Sequence, residues 1–195
     1  MNEHLAMLGR FVRSPRTTGA VAPSSRALAS AMVADLDLSG PVRVVELGPG
    51  TGVFTRVIAE HLGPAARCLA IDVDPGFVEQ LQRRCPRVEA VCGSAADLQA
   101  LTASAGFDCV DHIISGLPFA SLPAAVTAAV LDGIVAVLRP GGTFTTFQYA
   151  HSYPAPLARA FRREMSARLG SRPARHLVWR NVPPAYVLGW SRRCA

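Results

Sequence analysis

The sequence predicts a doubly wound α/β fold with a mostly parallel sheet, and three observations predict it. Residues 42–52, VRVVELGPGTG, read as a buried β-branched strand, then an acid, then a glycine at every second position. A second apolar run closes on another acid, Asp72, 20 residues after Gly52. Strand and helix patterns then keep alternating, as parallel strands joined by crossover helices do.

Taken in order, Leu5, Leu8, Phe11 and Val12 fall at helical spacing, with Arg10, Arg13 and Arg16 among or just beyond them. The pattern suits a short amphipathic helix, lying on a membrane or packed on the domain. A Pro/Gly/Ser/Thr-rich connector follows. Residues 1–22 are therefore assigned as a docking and lid segment, and 23–195 as one domain. Ser24 or Ser25 caps a helix over 26–36 with Leu28, Met32, Val33 and Leu36 on its apolar side. The amino terminus of that helix also offers donors to a ligand carboxylate. After the first strand comes a helix over 54–62. Residues 68–72 form the second strand, and a helix carrying Phe77, Val78 and Leu81 follows. Strands are expected over 88–92 and 108–114, a helix over 122–138, and a strand over 143–149 after an Arg139-Pro140-Gly141-Gly142 stop. A helix over 157–169 precedes two final strands, 177–179 and 185–190, expected to pair antiparallel.

The glycine spacing narrows the ligand. A dinucleotide site wants GxGxxG, whereas this chain has GxGxG with Glu46 two residues ahead of it. Pyrophosphate would meet that carboxylate unfavourably; a ligand with a cationic amino group would be welcomed. Asp72 stands at the distance expected of an acid gripping ribose hydroxyls.

Net charge is +6, and every basic residue is Arg. From His151 onward there are nine Arg and one acid, Glu164, so a basic end faces an anionic partner or forms a solvated face. The five cysteines make no CxxC pair, which fits buried free thiols in a reducing compartment and argues against a metal site. The start holds no signal-peptide core, and the longest apolar tract is short for a bilayer span. A cytoplasmic protein, peripheral on the inner face of the cell membrane, is expected.

ELGPGTG resembles motif I of the class I S-adenosylmethionine (SAM) methyltransferases. PRTTGAVAPSS, AIDVDPGF, SGLPFASLP, LRPGGTFTTFQY and VWRNVPPAYV together resemble the soluble bacterial phospholipid N-methyltransferases over nearly the whole chain. The resemblance implies SAM as methyl donor, S-adenosylhomocysteine as product, and phosphatidylethanolamine, methylated toward phosphatidylcholine, as acceptor. It implies a cofactor site of Ser24, Ser25, Glu46, Gly48, Gly50, Thr51, Gly52, Asp72, Val73, Gly93, Ser94, Ala95, Ser115, Gly116 and Leu117. Many relatives carry Asp where Ser94 stands, so adenine is expected to be held more by backbone and apolar groups, or by Asp97, whose alternative role is to start a helix. Just after the fifth strand, His151 is the expected proton acceptor, Tyr149 and Tyr153 are expected to hold the ammonium through cation–π contact, and Arg180 the lipid phosphate. Ser115 joins Tyr149 and His151 as a catalytic candidate, and Phe119 joins the acceptor site. An anionic membrane surface is the expected partner; nucleic acid and metal are not expected. The competing readings are an ornithine-lipid N-methyltransferase, an RNA adenine N6-methyltransferase (SGLPF resembles its NLPY-like motif, with Ser115 in place of Asn), and a non-catalytic SAM-binding module.

Overall fold

In the computed structural model the described residues are 24–194, and the docking segment assigned to 1–22, its helix and its connector, lies outside them. The elements run α1 (Arg26–Val33), β1 (Arg43–Leu47), α2 (Val53–His61), β2 (Arg67–Asp72), α3 (Pro75–Arg84) and β3 (Glu89–Cys92). A 3-10 turn (Ala95–Asp97) leads into α4 (Leu98–Ser104), then β4 (Val110–Ser115), α5 (Ala124–Val137), β5 (Leu138–Tyr149), α6 (Pro156–Leu169), β6 (Ala174–Val178) and β7 (Ala185–Ser191). One sheet takes the order β3-β2-β1-β4-β5-β7-β6. Its first five strands are parallel, and β7 runs antiparallel to both β5 and β6. This is the doubly wound sheet with an antiparallel carboxyl-terminal pair that the sequence predicts.

β1 lies at the centre because both of its faces are covered. Val44 packs toward α1, α2 and α3, while Val45 and Leu47 pack toward α4, α5 and α6. Each fully buried aliphatic side chain contributes roughly 1.5–3 kcal/mol, so a strand apolar on both faces is stable only in the middle of three layers. The parallel strands all end at one edge. β5 ends there at Tyr149, and Tyr149 pairs with Ala185 and Ala185 with Val178, so the β6–β7 turn projects from the same edge.

Several boundaries differ from the expected ones. α1 stops at Val33 rather than Leu36. The Leu36 amide bonds the Val33 carbonyl at 3.0 Å, and the Asp37 carboxylate accepts from the amide and hydroxyl of Ser39. Such local bonding competes with a helical turn. β5 begins at Leu138, through the Arg139-Pro140-Gly141-Gly142 segment expected to be a stop. Gly141 donates to the Arg192 carbonyl and Arg192 to that of Gly142, both at 2.8 Å, so the partner of this stretch is the end of the chain. The 3-10 turn was not expected, and Ser94 caps it by accepting from the Ala96 amide; Asp97 stands at the start of α4, the helix-start role weighed for it. Cys68 and Cys85 are buried as expected, but Cys92, Cys109 and Cys194 are exposed. β6 ends at Val178 and leaves Trp179 in the turn.

Asn181 fastens this turn to the rest of the molecule. It is almost fully buried; its Oδ1 accepts from the Ser25 amide at 2.9 Å, and its Nδ2 donates to the Pro183 carbonyl at 2.7 Å. Asn181→Ala leaves both backbone groups without their partner and should cost about 1–3 kcal/mol. A denaturant midpoint equal to wild type would show that this bridge carries no stability.

Candidate active site

Three glycines continue the sheet into its loops at the carboxyl edge, and two of them, Gly48 and Gly116, line a cleft there. The Gly48 amide donates to the Ile71 carbonyl at 3.0 Å, Gly93 to Asp72 at 2.8 Å, and Gly116 to Leu47 at 2.8 Å. Each bond extends the sheet ladder just past the end of a strand and holds the turn that follows. Gly48 has φ +69°, and a Cβ there would come within 2.8 Å of Leu117 Cδ2. A Cβ on Gly116 would come within 2.8 Å of the Gly48 carbonyl oxygen. The two loops touch because both positions are glycine. Ser24, Gly48, Pro49, Thr51, Val53, Phe54 and Gly116 line a cleft of about 70 Å³.

Asp72 braces the glycine loop. Its Oδ2 accepts from the Gly50 amide and its Oδ1 from the Asp74 amide, both at 2.9 Å. Burial raises its pKa above the ordinary carboxylate value, and those two amides partly offset the rise. Glu46 is fully buried on β1, and neither carboxylate oxygen has a hydrogen-bond partner. Burial pushes its pKa up to about 8, and the neighbouring Asp72 adds to the push. The Thr55 hydroxyl and amide lie close enough to lower it, yet neither the hydroxyl nor the carboxylate completes a hydrogen bond. A buried carboxyl without partners is costly to ionise. A cationic group brought to this side of the loop would satisfy it, which suits the amino group of SAM. The glycine backbone leaves room for the rest of that ligand, and Asp72 holds the loop beside it.

The other expected site residues divide into two groups. Gly50, Gly52 and Thr51 belong to the glycine loop, and Val73, Gly93 and Ala95 follow β2 and β3 at the same edge. Ser24 faces the cleft, whereas the Ser25 hydroxyl caps α1 by accepting from the Leu28 amide. Ser94 is buried, and its hydroxyl caps the 3-10 turn by accepting from the Ala96 amide. Asp97 makes no capping bond at the start of α4. The Ser115 hydroxyl accepts from the Leu117 amide at 3.2 Å and shapes the 115–119 loop from within. Phe119 turns into the core, stacked on Phe161 at 4.4 Å, away from the cleft. The Tyr153 ring is taken by the chain itself: the Arg162 guanidinium lies 3.7 Å from its centroid, and Arg175 approaches at 5.5 Å. Arg180 is exposed on the β6–β7 turn.

Sequence reasoning missed an aromatic track. Phe54, in the cleft wall, meets Phe147 edge-on at 5.8 Å; Phe147 meets Tyr149 at 5.4 Å; Tyr149 stacks on exposed His151 at 5.7 Å. The period-2 spacing of 147, 149 and 151 was the available signal, but Phe54 joins only through tertiary packing. Burial raises the Tyr149 phenol above its usual pKa, so it stays neutral near pH 7. Among the described residues, no His/Cys/Asp/Glu group is placed to hold a metal ion, and no helix is long and apolar enough to cross a membrane.

Two outcomes follow for the acids. Folding raises the Glu46 pKa from 4.5 to about 8, so the native state keeps its proton longer than the unfolded chain does. Stability of the ligand-free protein should therefore fall by a few kcal/mol as pH climbs through that window and level off above it. Glu46→Gln should flatten the curve; urea titrations from pH 5 to 9 that keep the wild-type slope would contradict this. Asp72→Ala should weaken SAM binding by ~1–3 kcal/mol and also lower the melting midpoint, because the Gly50 and Asp74 amides lose their acceptor. Calorimetry giving wild-type affinity would remove Asp72 from the site.

Comparison with known proteins agrees with this architecture. Residues 44–142 match the family described as "Methyltransferase domain". Ornithine lipid N-methyltransferase of Singulisphaera acidiphila is 32% identical over 147 residues, 74% of this chain and 77% of that protein. The probable ribosomal RNA small subunit methyltransferase A of Methanospirillum hungatei is 32% identical over 52% of this chain, which spans only 38% of that protein. The N-methyltransferase NodS of Bradyrhizobium japonicum superposes with a TM-score of 0.65 at 18% identity, covering 87% of this chain and 96% of NodS, a likeness of fold. The left-handed glycines behind a buried strand, the acid bracing them from β2 and the matched domain lead to one assignment: the chain belongs to the methyltransferase-domain family, within the class I SAM-dependent methyltransferases.

Proposed function

We propose that this methyltransferase N-methylates the primary amine of a membrane lipid, with phosphatidylethanolamine as acceptor on the way to phosphatidylcholine. The observation that carries the proposal is the aromatic track from Phe54 through Phe147 and Tyr149 to His151. It begins in the cleft wall and ends at the surface, on the edge where Arg180 is exposed. A track of π faces holds an ammonium or its methylated products through cation–π attraction, which persists after each methyl is added. Similarity to an ornithine lipid N-methyltransferase supports an amine-bearing lipid as the class, and favours ornithine lipid as the second candidate.

When bound, SAM supplies a methyl group activated by its sulfonium. The chain must place an amine lone pair against that methyl and keep water away. A headgroup amine arrives protonated, so a proton must leave first. In this scheme the Tyr149 face orients the ammonium and a His151 ring nitrogen accepts the proton. The freed nitrogen then forms the new N–C bond while the S–C bond breaks and its electron pair stays on sulfur. In this scheme Leu117, packed over Gly48, helps keep water from the transfer position. The Arg180 guanidinium suits the phosphate of phosphatidylethanolamine and also the carboxylate of an ornithine headgroup.

The test offers labelled SAM to vesicles containing phosphatidylethanolamine, to vesicles containing ornithine lipid, and to ribosomal RNA, using one preparation. Methyl incorporation into phosphatidylethanolamine is expected, and Tyr149→Ala should lower kcat/KM for that lipid about tenfold while leaving SAM affinity unchanged. Label in ornithine lipid alone would replace the headgroup. Label in RNA and none in lipid would overturn the proposal.

A further inference from the structure

The three large hydrophobic side chains most exposed among the described residues share one edge of the molecule. Trp179 is 73% exposed, Val182 79% and Leu157 66%. Trp179 and Val182 occupy the β6–β7 turn, which projects from the sheet edge where β5 ends; Leu157 lies in the first turn of α6, just after β5. That edge also holds the cleft. Isolated exposed hydrophobics are ordinary, but their gathering at the active edge calls for an occupant. The charges around them favour one. Arg180 lies between Trp179 and Val182, and exposed Arg159 follows Leu157 by two residues. Neither Arg makes an ion pair among the described residues. Glu164 is the single acid from 151 onward, and it is held by Arg168 at 2.9 Å.

We infer that the Trp179–Val182 turn, with Leu157 beside it, is a membrane-inserting tip that seats the cleft edge on an anionic bilayer. Indole prefers the headgroup level, where its ring is buried and its N–H stays hydrated. Arg180 and Arg159 meet anionic headgroups at the same depth. Asn181 stiffens the turn from inside, since its side chain is spent on the Ser25 amide and the Pro183 carbonyl. A rigid tip loses less conformational entropy on insertion than a loose loop. The inference rests on the lipid-acceptor proposal: a headgroup can reach the cleft only if this edge faces the bilayer.

The two tryptophans provide the readout, because Trp190 is 1% exposed and Trp179 is not buried. The full chain is mixed with phosphatidylglycerol/phosphatidylcholine vesicles whose phosphatidylcholine acyl chains carry bromine. Trp179 emission is expected to shift blue and be quenched; in Trp179→Phe the remaining Trp190 emission should be unaffected. Trp179→Ser with Val182→Ser should weaken vesicle affinity about tenfold or more, with S-adenosylhomocysteine affinity unchanged as a check on folding. Bound protein with unquenched Trp179, or no binding to anionic vesicles, overturns the tip. Emission already shielded without vesicles overturns it too, since a second copy or the chain's own residues would then cover the turn. A quenched Trp179 with no methyl transfer to lipid leaves the tip standing and overturns the acceptor assignment instead.

Discussion

The carboxyl edge depends on three backbone hydrogen bonds that continue the parallel ladder past its strands, from Gly48, Gly93 and Gly116 to carbonyls at the ends of β2 and β1. Without them the loops after β1, β3 and β4 would be free to separate, and the Gly48–Leu117 and Gly48–Gly116 contacts would not form. Sheet order supplies the geometry: β1 lies between β2 and β4, so loops from neighbouring strands meet at one place. This is the crevice that open α/β sheets offer at their carboxyl edges. Asp72 then locks the middle of the first loop from the side.

Glu46 and Asp72 show two ways of burying a carboxyl at such a site. Asp72 is surrounded by amides and remains a useful acceptor. Glu46 has been given burial without partners, so the ligand-free molecule holds it mostly protonated near neutral pH. The fold tolerates that strain because Glu46 lies in the best-supported strand of the sheet, with both faces covered. Such unsatisfied polar groups are uncommon in native interiors and tend to mark places reserved for something else.

Much of this architecture was legible from local pattern. β-branched runs, glycine spacing and acids at strand ends mark β1, β2 and their loops, because those features depend on neighbours a few residues away. What was not legible depends on distant partners. Arg139 to Gly142 looks like a helix stop, yet it becomes strand because Arg192 bonds it from the far end of the chain. Tyr153 looks available to a ligand, but Arg162, nearly two turns into α6, already covers it. Phe119 sits in a loop motif that reads as functional, and Phe161 draws it inward. Trp179 completes an apolar triplet that reads as buried strand, while the pairing of Val178 with Ala185 ends the strand one residue earlier. The Ser25 cap was legible from propensity, whereas the Ser94 cap depends on a 3-10 turn that the pattern did not show.

Asn181 has a consequence for how the parts communicate. Ser24 lines the cleft, and Ser25, the next residue, gives its amide to Asn181 in the β6–β7 turn. The cleft wall and the turn are therefore joined by a short, part-buried hydrogen bond, and neither can shift far without straining it. Any ligand whose binding depends on the placement of that connection influences every other ligand that depends on it. Thermodynamic linkage makes such an influence equal in both directions: whatever affinity a ligand at the turn lends a ligand in the cleft, the second returns to the first.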